Sequence, residues 1–237
     1  MNKVIKCCLL GLMMSAVVPA FAEELGEKGE GIDGAIGWTP VAVSLASPVQ
    51  LPWGMARWDV FGLDLGLFYN DAPKMYGLQL SLANTARDEF IGLGLGGAFN
   101  FANKDIYGAR AALGCNICNA TLYGLDVGGF GCHRDIYGGD VELVATMQQN
   151  VCGFAGSLIG NVTENESYGC TLGAANLART AYGAQLALVA NVTDELHGFQ
   201  FGAINFAREC PWGFQIGIIN IILDNEVKVL PIVNGYF

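Results

Sequence analysis

The sequence predicts an all-β protein, first as an up-and-down antiparallel transmembrane β-barrel of about twelve strands, one strand to each repeat of about 15 residues. Three observations predict it. The first is a glycine that recurs eleven times, at Gly62, Gly77, Gly92, Gly108, Gly124, Gly138, Gly153, Gly169, Gly183, Gly198 and Gly213, with spacings of 14 to 16 residues. A unit that short holds one strand and one turn, and internal repetition governs the fold before any local signal does. The second is a period of two inside each unit. With the glycine as position 0, the second copy carries Tyr76, Leu78, Leu80 and Leu82 at −1, +1, +3 and +5, and Gly77, Gln79, Ser81 and Ala83 at 0, +2, +4 and +6. Successive strand side chains point to opposite faces, so one face is large and apolar and the other small or polar. The third is composition, 52% hydrophobic and only 14% charged, against roughly 25% charged in an ordinary soluble domain. No run after residue 22 approaches the roughly 20 apolar residues of a membrane helix, so residence in a membrane requires a closed barrel.

In chain order, residues 1–22 have the parts of a secretory signal: Lys3 and Lys6, an apolar run from Cys7 to Val18, and the small-residue exit Ala20-Phe21-Ala22. They predict export, to the outer membrane or cell surface of a Gram-negative-type bacterium. Residues 23–34 are acidic and glycine-rich and predict a flexible segment. Residues 35–237 form a single repeat-built domain. Its lead-in holds Pro40, Pro48 and Pro52, which confine strands to edges or strand ends. Charged groups such as Arg87-Asp88-Glu89, Lys104-Asp105 and Glu164-Asn165-Glu166 mark turns between the motif strands. A final strand runs from Val227 to Phe237, and Phe237 reads as an assembly signal for barrel-assembly machinery.

In the barrel the apolar face meets outer-membrane lipid. The aromatics at −1, namely Phe61, Tyr76, Tyr107, Tyr123, Tyr137, Tyr168, Tyr182 and Trp212, form interfacial girdles. The small and polar face lines a lumen whose ions are Asp64, Arg110, Asp126, Asp140 and Glu142. Arg110 and Asp126 lie on adjacent strands where they can pair. Four acids against one base would make any passage for small solutes mildly cation-selective.

The alternative is a soluble β-solenoid in which each repeat is one coil and Leu78, Leu80 and Leu82 face an interior core. Its signature is an asparagine at +7 or +8 (Asn70, Asn84, Asn100, Asn116, Asn161, Asn176, Asn191, Asn205 and Asn220), placed to stack as a ladder. Against it stand the charges in the return half of each coil.

Chemistry is sparse. Cys115-x-x-Cys118 with Cys132-His133 can be drawn as a zinc site, but disulfides or lone buried cysteines are the better reading of an exported chain, and neither metal nor cofactor is expected. A solenoid would stack Cys115 and Cys132 at disulfide range, whereas a barrel closes only Cys115 on Cys118. His133 and His197 stand in unrelated phases with no serine or carboxylate at motif spacing, so no enzyme is expected. A net charge of −10 with 12 Lys and Arg argues against nucleic-acid binding.

The units Gly198-Phe199-Gln200-Phe201-Gly202-Ala203-Ile204-Asn205 and Gly213 to Asn220, with the close Leu230-Pro231-Ile232-Val233-Asn234, resemble a bacterial surface-repeat family built from Gly-Leu-Gln-Leu-Gly-Leu-Val-Asn units. The resemblance covers about residues 40–237, and the copies from Gly108 to Gly153 depart from it. It implies a cell-envelope location and brings no activity. The functional expectation is therefore an outer-membrane surface protein, structural or a narrow passive pore, with an exported β-solenoid acting as a binding or adhesion module as the alternative.

Overall fold

The computed structural model describes residues 37–46, 49–53 and 57–236. The signal sequence expected at residues 1–22, the acidic segment of residues 23–34 and Phe237 lie outside the described residues. Nine strands form one sheet in the order β2-β1-β3-β4-β5-β6-β7-β8-β9. They are β1 (Gly37–Ala46), β2 (Val49–Leu51), β3 (Trp58–Gly66), β4 (Tyr69–Ala102), β5 (Ile106–Ala112), β6 (Cys115–Ser157), β7 (Gly160–Phe201), β8 (Ile204–Ile222) and β9 (Val229–Gly235).

Successive repeats pair in parallel, glycine on glycine: Gly62 on Gly77, Gly92 on Gly108, Gly108 on Gly124, Gly153 on Gly169 and Gly198 on Gly213. This overturns the antiparallel twelve-strand barrel. The chain is a β-solenoid of about ten turns, and β4, β6 and β7 reach 34, 43 and 42 residues because the ribbon bends at its corners without leaving the hydrogen-bonded ladder. Parallel stacking places like residues on like, and the asparagines profit directly. Asn84 donates to Asn100 and Asn100 to Asn116, each at 2.9 Å, and a second ladder runs Asn161, Asn176, Asn191, Asn205, Asn220 at 2.6 to 2.9 Å. Each amide also donates to a backbone carbonyl of the neighbouring coil, as Asn176 does to Leu186 at 2.8 Å, so the buried amides are satisfied.

The repeating glycine is held at φ between 124° and 148° in all eleven copies, a region essentially reserved for glycine. Its neighbour leaves no choice either, since a Cβ built on Gly138 would fall on the carbonyl oxygen of Gly124.

The parity of the strand differs from that expected of a solenoid. Leu80 and Leu82 are exposed, while Gln79 is 1% exposed, so the small and polar face is inside. Narrowness explains it: glycine, alanine and serine at +4 let the opposite wall approach, and the polar side chains that enter find partners in the coil above or below. Gln215 donates to Gln200 and Gln200 to Gln185, both at 2.7 Å. The apolar half of the core is a column at −2 (Val60, Met75, Phe90, Ile106, Leu122, Ile136, Val151, Leu196), facing small residues such as Ala72, Ala86, Ala102 and Ala207. The return wall tolerates charge because its ions pair between coils, Arg87 with Asp71 at 3.2 Å, largely buried, and Lys104 with Asp88 at 2.9 Å, exposed.

Both ends of the stack carry an antiparallel strand. β2 pairs with β1 and β9 pairs with β8, covering part of each end that would otherwise present an open parallel edge.

Candidate functional site

Two features stand out, one on each face of the repeat. Outside, positions −1, +1, +3 and +5 form a continuous apolar wall. The aromatics expected as membrane girdles form stacks instead: Phe61 on Tyr76 at 4.6 Å, Tyr107 on Tyr123 at 4.9 Å, Tyr123 on Tyr137 at 5.3 Å and Tyr168 on Tyr182 at 4.5 Å between ring centroids. His197 continues the last stack on Tyr182 at 4.5 Å, with its Nε2 2.7 Å from Glu195. Trp212 stands next in register after His197, largely exposed. Parallel pairing puts all of them on one side of the molecule, where antiparallel pairing would have split them between two rims.

Along this wall the +5 column alternates in size: Leu82, Gly97, Leu113, Gly129, Leu143, then Leu158, Ala174, Leu188, Ala203, Ile218. Leu113 is 87% exposed and Leu188 82%. The small residues leave hollows between these knobs. One of about 480 Å³ is lined by Leu80, Leu95, Gly97, Leu113, Val127 and Leu143, and another of about 510 Å³ by Leu188, Phe201, Ala203, Ile216 and Ile218.

Inside, the five ions expected to face a water-filled lumen are buried in a packed core: Asp64, Asp126 and Asp140 at 0% exposure, Arg110 and Glu142 at 2%. The lumen and its cation selectivity therefore fall with the barrel. Arg110 and Asp126 do pair, in parallel register. The guanidinium grips the carboxylate with two nitrogens, Nε at 3.1 Å from Oδ1 and Nη2 on Oδ2, and Nη1 donates to the carbonyl of Ile117 at 3.1 Å. Gly94 makes room, since a Cβ there would lie 3.1 Å from the Phe90 ring and 3.3 Å from Arg110 Cγ. Burial opposes the arginine's charge, but the Asp126 carboxylate outweighs it and holds the guanidinium protonated.

Asp64 stands apart from the other four, accepting from Gln79 Nε2 at 3.0 Å. Burial pushes its carboxyl from 3.8 up to about 6, against the lowering effect of the Gln79 hydrogen bond. A folded-state value above the unfolded one means that stability is greatest with Asp64 protonated and falls as the pH rises from about 4 through about 6. That displacement is worth roughly 3 kcal/mol. Asp64→Asn keeps the acceptor for Gln79 and removes the charge, so the variant is expected to lack this loss and to exceed the parent at pH 7 by about 2 to 3 kcal/mol in urea titrations, with parity below pH 4. Equal stability at pH 7 would show the carboxylate to be well solvated.

His133 joins the remaining ions, in the company of carboxylates and not of the cysteines with which the sequence grouped it. Its imidazole is buried, with Nε2 3.5 Å from Asp126 Oδ2 and 3.6 Å from Asp140 Oδ1, ion-pair distances beyond a proper hydrogen bond. Burial is the largest single influence and works against its charge, but Asp140, Cys118 and Asp126 together outweigh it and raise the imidazole well above its usual range. Glu142 is pushed up to about 9, by burial first and then by the Asp140 charge. Gly131 explains why the group fits. It falls fifteen residues after Asn116 and fifteen before Thr146, where the ladder has its asparagine. Without a side chain there, Asp140 and Glu142 lie against the Gly131 backbone, and Glu142 Oε1 accepts from Asn116 Nδ2 at 3.3 Å in place of the missing amide. The zinc set drawn from Cys115, Cys118 and Cys132 does not form. All six described cysteines are free, including Cys115 and Cys132, and burial pushes those two thiols up, away from the thiolate a metal needs.

Compared with known proteins, the chain matches no family model, no curated protein and no solved structure.

Proposed function

We propose that the chain is an exported, non-enzymatic binding module of the adhesion type, and that its apolar wall is the binding surface. The observation that carries this reading is the inversion of the coil: amides and ions inside, leucines and aromatics outside. A monomer rarely exposes an apolar patch beyond about 300–600 Å². Here ten coil steps of about 4.8 Å and six residues of about 3.3 Å outline roughly 1,000 Å².

The occupant we favour is the same wall of a second copy. Two such walls would bury about 2,000 Å², the size of a stable homodimer interface, and sheets pack face to face by interdigitation. The alternating column supplies that interdigitation: a twofold axis across the coils that sets antiparallel copies a single coil out of step drops Leu113, Leu143 and Leu188 of one copy into the hollows at Ala203, Ala174 and Gly129 of the other, and the reverse. A lipid surface is the weaker occupant, because an acidic chain with 12 Lys and Arg offers little to anionic headgroups. Copies on one cell would pair, and copies on neighbouring cells would adhere. Export and a cell-envelope location, expected from residues 1–22 and from the surface-repeat resemblance, supply the setting.

The test is light scattering with bead aggregation. The parent is expected to be dimeric at micromolar concentration and to clump coated beads, whereas a Leu113→Lys, Leu143→Lys, Leu188→Lys variant, altered only at exposed tips, should remain folded, be monomeric and weaken association at least about a hundredfold. A parent that stays monomeric, or that floats with vesicles as a monomer, overturns the reading, the latter in favour of lipid.

A further inference from the structure

We propose that His133, Asp140 and Glu142 form a structural site for one divalent first-row metal ion, of the Zn²⁺ or Mn²⁺ class, inside the solenoid. Their ligating atoms lie within 4.8 Å of one another and all three residues are buried. An imidazole nitrogen with two carboxylate oxygens is a donor set for these ions. At bond lengths of about 2.0 to 2.2 Å the ligand atoms of one tetrahedral ion stand about 3.4 Å apart, so a cation between them needs the most separated side chains to close by about 1 Å.

A second observation is independent of the spacing. Both ring nitrogens of His133, both carboxylate oxygens of Asp140 and Oε2 of Glu142 have no hydrogen-bond partner. Buried polar atoms of folded proteins nearly always have one, and the asparagine ladders elsewhere in this core meet that standard. Unpartnered atoms on all three residues, one from each lying within 4.8 Å of the other two, are what a three-residue ligand set requires.

Charge points the same way. The core here holds three carboxylates, Asp126, Asp140 and Glu142, and one guanidinium, Arg110. With neutral imidazole the sum is −2, which one divalent ion cancels. Two protons, one on His133 and one on Glu142, cancel it equally well, and that is the competing account. Glu142→Gln separates the two. The amide copies a protonated carboxyl in size and keeps an acceptor for Asn116, so it is harmless if protons balance the site and removes a charged ligand if a metal does.

The experiment unfolds the full chain in denaturant with chelator, refolds it with Zn²⁺, with Mn²⁺ or with neither, dialyses exhaustively, and reads metal content and melting temperature. Refolding is required because a site sealed in the core loads as the coils close. The parent is expected to retain about one equivalent of metal per chain and to melt higher with it than without; Glu142→Gln should retain at least about tenfold less and show no metal-dependent rise. Asp140→Asn is the second variant, with the same loss expected. A parent that retains no metal and melts identically in all three preparations overturns the proposal. So does full retention by both variants, which would place the metal elsewhere on the chain. Neither readout depends on the apolar wall, so failure of the binding-module reading leaves this test intact.

Discussion

Gly138→Ala is expected to bring the solenoid to the edge of unfolding. Gly138 is held at φ 141°, a conformation that costs an L-residue about 1–3 kcal/mol before any contact is considered. The added methyl would also overlap the Gly124 carbonyl, and relief requires prising two coils apart along their ladder. Together these place the loss above about 4 kcal/mol, within the range that unfolds a marginally stable domain. Gly139 is the internal control. It lies one residue on, with its Cβ direction outward, and a methyl there meets only the tip of Leu125 at 3.0 Å. Gly139→Ala should stay within about 1 kcal/mol of the parent in urea titrations. Equal behaviour of the two variants would mean that the glycine column is not under the constraint described.

Asp126→Asn is expected to destabilise by about 3 to 5 kcal/mol, because it strands a buried guanidinium. Arg110 is 2% exposed and donates its charged hydrogen bonds to Asp126. The shape changes little, so the measured cost reports the charge. The double variant Arg110→Gln with Asp126→Gln should recover most of it, since the same positions later in the chain are the stacked Gln185, Gln200 and Gln215. In a water-lined lumen Asp126→Asn would have left stability nearly untouched, so urea midpoints of the two variants decide between a solvated and a packed interior.

Much of the coil was legible before any coordinates. The period of two, the glycine spacing, the pairing of Arg110 with Asp126 and the asparagine ladder all follow from residues at fixed offsets. What the pattern did not contain was the direction of neighbouring strands. A barrel and a solenoid make the same demand on a single strand, apolar at odd positions and small or polar at even ones, so the alternation at Tyr76 to Ala83 serves either. The asparagines were the discriminating sign, because an amide repeated in phase gains most when its like lies directly above it. The charges at Arg87 to Glu89 misled, since a charge on a strand is unremarkable once Asp71 and Lys104 of adjacent coils stand beside it. The carboxylate partners of His133 stayed hidden because the glycine spacings run 16, 16 and then 14 there, which puts Gly131 into the ladder's column and carries the histidine inward. The copies that depart most from the repeat, from Gly108 to Gly153, hold four of the five buried ions, Asp64 being the exception.

The two end strands have a consequence for what kind of object this is. Parallel, in-register stacking of like on like, with amides and aromatics in files along the axis, is also the geometry of a cross-β fibril, in which each new layer is templated by the last and growth has no natural limit. Three residues of β2 and seven of β9 run against that grain. Reversed in direction, they offer an incoming parallel layer no matching register. They make a finite molecule out of an architecture that would otherwise polymerise, so the length of this protein is set at its two ends and not by anything in the repeat itself.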